Sequence, residues 1–269
     1  MIEASLAFLF GLLIGSFLNV CIYRWPRDLS VVRPRSHCPR CQAMIAWYDN
    51  VPLVSYVLLG GRCRHCKQII SVRYPIVELM TAALFFNFIY AQGVTAVGIK
   101  NCVMSALLVG LMFSDLEERI LPDELTKGGI VLGLIFAIFT PVPDNIAQTV
   151  LWLMGAQLKG IAASLVEAVF GAAIPAFFLW AGGALYEKVR HKEGLGFGDV
   201  KLIAMMGAFL GLRGALTVLI MGSVAGSLLG YLYIKITRKN ASTYELPFGS
   251  FLCAAGIAAI LFEKQIMGT

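Results

Sequence analysis

Runs of predominantly apolar residues, about 20 long as a bilayer crossing requires, recur along this chain between short polar connections. They predict helices near 4–23, 75–92, 95–114, 124–141, 161–186, 199–212, 214–234 and 246–262, eight in all. The sixth is shorter than a full crossing needs. One long polar segment, residues 24–73, separates the first two helices and reads as a small folded domain or an elaborate loop. The stretch 142–160 mixes apolar and polar residues, and its two readings are an interfacial helix and a plain loop. The N-terminal MIEASLAFLFGLLIGSFLNVCIYR has no basic residue before its apolar run and places Arg24 after it. That order predicts a retained first helix rather than a cleaved signal.

Composition agrees with the pattern. Hydrophobic residues make up 58% of the 269 and charged residues 14%, against roughly 45–50% and about 25% in soluble domains. The fold class is therefore an all-α polytopic membrane protein with about eight transmembrane helices. Its domains are a first helix (1–23), a cytoplasmic polar segment (24–73) and a transmembrane remainder (74–269). The net charge of +6 suits loops facing anionic lipid better than nucleic acid. Placing 24–73, 115–123, 187–198 and 235–245 in the cytoplasm puts 18 of the 22 Lys and Arg on or beside that side. The positive-inside rule then sets the N-terminus outside.

Four cysteines of the polar segment stand as C-P-R-C, Cys38 and Cys41, then 21 residues, then C-R-H-C, Cys63 and Cys66. This is close to the two-knuckle spacing that brings four thiolates onto one tetrahedral zinc. Disulfides are the competing reading, disfavoured in a reducing cytoplasm. A closed four-sulfur site is structural: the metal folds a segment too polar to build its own core. Three histidines are too few for a histidine-based site. Cys21, Cys102 and Cys253 lie in apolar spans and read as small core residues.

Acids at the edges of spans are rarer and more telling. Asp115 ends the third span and Asp199 begins the sixth, at the same cytoplasmic level. Each has a plain reading, a solvated helix end for Asp115 and an N-cap for Asp199. If they face each other, two carboxyls in a poorly solvated site share one proton, and the pair can activate water against a carbonyl without a metal. Gly196 and Gly198, lacking side chains, would let an extended substrate approach Asp199. Asp123, after Pro122 and before a helix, reads as an N-cap.

GFGD at 196–199, with Asp115 in a D-x6-P-D context, resembles the GxGD intramembrane aspartic proteases. GLLIGSFLNVCIYRWPR (11–27), WYDNVPLVSYVLLGGRCRHC (47–66), RYPIVELMTA (73–82) and LPFGSFL (246–252) narrow the resemblance to the bacterial type IV prepilin peptidase family. The likeness covers nearly the whole chain. It implies cleavage of the basic leader from type IV prepilins and type II secretion pseudopilins, after a glycine, at the cytoplasmic face of the inner membrane. It also implies methylation of the new N-terminus by S-adenosylmethionine. Carried over, Asp115 and Asp199 are the catalytic pair, the four cysteines hold zinc, and 74–269 is the peptidase part.

The family often has a hydrophobic residue where this chain has Ser114, and proline where it has Ser250; neither change removes a catalytic group. No glycine-rich strand-to-helix fingerprint marks a Rossmann-type cofactor site. Candidates for the methyl donor are Glu78, Asn19, Arg24, Asp49, Asn50 and Gly61, which lie in family-like blocks. Each has a plain alternative: Glu78 pairing with Arg73 or Arg24, Asn19 bonding between helices, Asp49-Asn50 forming a turn. Glu117, Glu118 and Asp123 are the acids expected to attract a basic leader. A proton-coupled transporter would also place acids in the membrane, but gives no reason for GFGD or four cysteines. A non-enzymatic assembly factor would tolerate loss of both aspartates.

Overall fold

The computed structural model describes residues 1–142, 146–153, 155, 158–191, 196–237 and 246–262. The described residues form no β-strand; two isolated antiparallel bridges, His37 with Met44 and Arg62 with Ile69, are the only sheet-like pairings among them. The chain divides into two compact units, Met1–Ser114 and Asp115–Thr269.

In the first unit, α1 (Ile2–Arg24) packs along α3 (Arg73–Gln92). The close approach depends on two glycines. A Cβ on Gly11 would stand 2.7 Å from the Ala82 Cα, and one on Gly15 would stand 2.6 Å from the Glu78 Cα. Asn19 ties the same helices, donating from Nδ2 to the Tyr74 carbonyl at 3.0 Å. Between them runs the cysteine segment, with the short α2 (Val54–Leu58) and a 3₁₀ turn over Trp47–Asn50. α4 (Ala96–Glu118) closes the unit, and its last turn carries Asp115 into the second.

The second unit contains α5 (Asp123–Phe139), α6 (Ile146–Leu153), α7 (Ile161–Arg190), α8 (Phe197–Thr237) and α9 (Phe248–Leu261). Small residues again set the spacing. A Cβ on Gly171 of α7 would fall 2.5 Å from the Gly211 backbone of α8, and one on Gly133 of α5 would fall 2.8 Å from the Ala208 Cβ. With little apolar driving force between helices in lipid, such close backbone contact is what holds a bundle together.

The two spans expected at 199–212 and 214–234 lie on one path, α8, whose helical geometry breaks at Gly211 (φ 76°, ψ −175°). Only glycine adopts that backbone freely, so the boundary falls there. Among the described residues, Ile2–Arg27, α3, α4, α7 and α8 are long and apolar enough to cross a membrane, and α9 is a shorter apolar helix. Of the two readings of 142–160, the structure has a helix there, α6; residues 143–145, 154, 156 and 157 of that loop lie outside the described set.

Candidate active site and metal centre

Asp115 is buried, 6% exposed, one turn before the end of α4. Asp199 is half-buried and is the third residue of α8. The two meet at the start of α9. A Cβ built on Gly249 would lie 3.2 Å from Asp115 Cγ, 3.2 Å from Asp199 Oδ1 and 3.0 Å from Leu121 Cδ1. Asp115 Cγ and Asp199 Oδ1 are therefore separated by no more than twice that first distance. The gap is kept open by the absence of a side chain on Gly249.

The next residue orients one member of the pair. Ser250 donates its backbone N–H at 2.6 Å and its hydroxyl at 2.7 Å to Asp115 Oδ2. An oxygen accepting two donors has both lone pairs in use, so any further bond made by the carboxyl of Asp115 falls to Oδ1. LPFGSFL stands out in the sequence as a block, but spacing alone says nothing of Gly249 or Ser250 touching a residue 135 positions away.

At Asp199 the N-cap reading does not hold: the residue lies inside the first turn of α8. Its own N–H donates to the Gly196 carbonyl at 3.0 Å, and among the described residues no backbone N–H bonds its carboxylate. Among the described residues, a Cβ on Gly196 would meet only Asp199 Oδ2, at 3.6 Å, whereas one on Gly198 would press into Leu121 at 3.2 Å. Gly196 thus lies along the carboxylate, and Gly198 serves packing. Residues 194 and 195 of the same stretch are outside the described set.

Asp123 is likewise no N-cap. Pro122 holds that position and makes no side-chain cap; a proline there leaves the first turn to other partners. Asp123 instead pairs with Lys127 at 2.6 Å and with Lys201 of α8. It is thereby partly neutralised, which weakens it as an attractor for a basic leader. Glu117 is exposed and Glu118 half-exposed.

In the first unit, Cys38, Cys41, Cys63 and Cys66 bring their sulfurs within 4.8 Å of one another. The Sγ atoms of Cys38 and Cys66 are 3.8 Å apart, about the edge of a tetrahedron with Zn–S bonds of ~2.3 Å. The two knuckles have the same build. Gln42 N–H returns to the Cys38 carbonyl at 2.9 Å and Lys67 N–H to the Cys63 carbonyl at 3.0 Å, with Gln42 (φ 59°) and Lys67 (φ 58°) both left-handed. The backbone N–H groups of Cys66 and His65 hold the Cys63 thiol down to about 6, which favours a thiolate there, while burial and the neighbouring sulfurs push the Cys66 thiol up to about 11, as expected where close-set sulfurs cannot all ionise without a cation between them. The donor set fits a structural zinc.

Five of the six methyl-donor candidates line one cavity of about 150 Å³: Asn19, Arg24, Asp49, Asn50 and Glu78. Gly61 is not on its wall, but a Cβ there would stand 3.0 Å from the hydroxyl of Tyr56, which is. Glu78 accepts from Leu53 N–H at 2.8 Å. Arg24 does not pair with it: its guanidinium donates to the Ser30 and Pro34 carbonyls at 2.8 Å each. Asp49 is held by Arg64 at 2.6 and 2.7 Å, and the guanidinium keeps its carboxyl below the usual range.

Comparison with known proteins points one way. Residues 9–92 match the bacterial peptidase A24 N-terminal domain, and residues 102–231 match the type IV leader peptidase family. A prepilin leader peptidase/N-methyltransferase of Myxococcus xanthus is 42% identical, over 91% of this chain and 69% of its own length. Enzymes of the same name from Pseudomonas aeruginosa (34%; 97% and 91%) and Neisseria gonorrhoeae (36%; 93% and 87%) are similar over most of both chains. No solved structure matches significantly. The motifs, the all-helical membrane fold and these relatives together place the chain in the type IV leader peptidase family.

Proposed function

We propose that this chain cleaves the leader peptide from type IV prepilins and pseudopilins after glycine, at the cytoplasmic membrane face, and methylates the new N-terminus from S-adenosylmethionine. The observation carrying the first activity is the convergence of Asp115 and Asp199, from two helices, on the side-chain-free Gly249. Two carboxyls so close in a poorly hydrated site share one proton. The charged one takes a proton from water as the water attacks the scissile carbonyl, while the protonated one donates to the carbonyl oxygen. Collapse of the tetrahedral intermediate passes a proton to the leaving amine. Gly196, beside Asp199 Oδ2, leaves room for an extended substrate backbone.

Methyl transfer rests on the family and on the cavity in the first unit, where Asn19, Arg24, Asp49, Asn50 and Glu78 are brought together, with Gly61 behind Tyr56. S-adenosylmethionine supplies the methyl group there, and these residues bind and orient it. Zinc, held by Cys38, Cys41, Cys63 and Cys66, folds the segment beside that cavity. The distribution of Lys and Arg supports a cytoplasmic cysteine segment and an outside N-terminus in an inner membrane.

The test is cleavage of a type IV prepilin by the purified protein in detergent, beside Asp115→Asn and Asp199→Asn. Mass spectrometry then reads the new N-terminus with and without S-adenosylmethionine. Folded asparagine variants without cleavage and a methyl mass added by the wild type are expected. Normal cleavage by either variant removes that aspartate from the mechanism.

A further inference from the structure

The cavity of the first unit has an uneven supply of hydrogen-bonding groups. Asn19 is 2% exposed, and its Nδ2 donates both to the Tyr74 carbonyl at 3.0 Å and to the Gly15 carbonyl at 3.3 Å. Two carbonyl partners fix which end of the amide is nitrogen. The other end, Oδ1, is buried with no hydrogen-bond partner. A buried acceptor left unpaired is costly, and a bound group that supplies the missing donor is one way a native site recovers that cost.

Glu78 adds a second acceptor to the same wall. It is 7% exposed, accepts from the N–H of Leu53 on one oxygen and takes a second hydrogen bond from the Ser16 side chain, two bonds for a carboxylate that can accept about four. Arg24 is the only Lys or Arg lining the cavity among the described residues, and its guanidinium is taken up by the carbonyls of Ser30 and Pro34. Asp49, the other acid on the wall, has its own cation in Arg64. The cavity wall therefore carries a residue with an unmet acceptor and a buried carboxyl, with its one guanidinium already engaged and His37 as the other basic side chain on it. Its size suits one end of a nucleoside-sized ligand rather than the whole.

We infer that Asn19 Oδ1 and Glu78 form a subsite for a positively charged ligand group, an ammonium or a sulfonium. This rests on the methyl-transfer reading and deepens it. Two ligands of that reaction carry such a group: the methyl donor, and the amino terminus exposed by cleavage. An anionic group fits the subsite itself poorly, since Asn19 Oδ1 and Glu78 would both meet it as acceptors.

The test is calorimetric binding to the full-length, zinc-loaded protein in detergent, with Glu78→Gln and Asn19→Ala. Glutamine keeps a carbonyl for Leu53 N–H, so the local fold is preserved; zinc content and melting temperature check both variants. The probes are S-adenosylmethionine, the uncharged 5′-methylthioadenosine, and a short peptide beginning with phenylalanine, free or N-acetylated. If the donor's cation is the occupant, both variants bind S-adenosylmethionine at least tenfold more weakly and methylthioadenosine within twofold of wild type. If the substrate's amine is the occupant, the loss falls on the free peptide and not on its acetylated form. Unchanged binding of every probe in both variants overturns the inference. Failure of the wild type to bind S-adenosylmethionine or the free peptide removes the methyl-transfer reading with it.

Discussion

Ser250 places two hydrogen bonds, at 2.6 and 2.7 Å, on a single oxygen of Asp115, a residue 135 positions earlier. The start of α9 is thus a third contributor to a site otherwise built from α4 and α8. Removing the hydroxyl in Ser250→Ala leaves the N–H donor, so the expected loss is about one hydrogen bond, ~1 kcal/mol or roughly fivefold in kcat. KM is expected to stay within twofold and Ser250→Thr to restore the rate. Steady-state cleavage of a prepilin measures this; an equal effect on KM would mean that the serine serves binding.

Gly249→Ala separates catalysis from folding. Alanine favours the first turn of a helix over glycine by up to ~1 kcal/mol, but its methyl would stand 3.2 Å from both Asp115 and Asp199. Cleavage is expected to fall at least 100-fold, about 2.7 kcal/mol, with no comparable fall in melting temperature. Near-normal cleavage would show that the two carboxyls reach their working positions without that gap.

For the cysteine segment, metal analysis is expected to find about one zinc per chain. Stripping it with a chelator should unfold residues 24–73 first, and methylation should fail before cleavage does. Four thiols that alkylate readily in the native protein would contradict this.

The Asp49–Arg64 pair predicts a particular dependence on pH. Asp49's carboxyl is lowered from 3.8 chiefly by the hydrogen bond from Arg64. Its contribution to stability is therefore complete above that ordinary value and is lost only as pH falls through the lower, folded value. The difference in melting temperature between wild type and Arg64→Gln is expected to be constant from pH 8 to pH 5. A difference that shrinks across that range would show that the pair is not what the substitution removes.

Reversing Glu117 and Glu118 to lysine is expected to weaken prepilin binding at low ionic strength, with the difference fading as salt screens exposed charge. Equal apparent affinity at low and high salt, with and without the reversal, would assign leader attraction elsewhere. Asp123, already paired with Lys127 and Lys201, is expected to contribute less.

Much of the site was legible in order along the chain. Hydropathy located the helices to within a few residues, because a bilayer leaves the backbone few alternatives to hydrogen-bonded helix. The cysteines were legible because four ligands on one tetrahedron require short, paired spacings. Asp115 and Asp199 stood out because carboxylates at span edges are costly. The N-cap readings of Asp123 and Asp199 failed, since capping depends on backbone geometry within one residue of a helix start, which apolar runs do not resolve.

The sequence by itself determined the membrane class, the helices, the paired cysteines that cluster as candidate metal ligands and the two candidate acids, all consequences of local composition and spacing. Only the tertiary structure decided that Gly249 stands between those acids, that Ser250 holds one of them, and that Asn19 and Glu78 share a cavity. These contacts join residues far apart in the chain. They depend on which glycines let helices approach, an outcome of packing in three dimensions that no short stretch encodes.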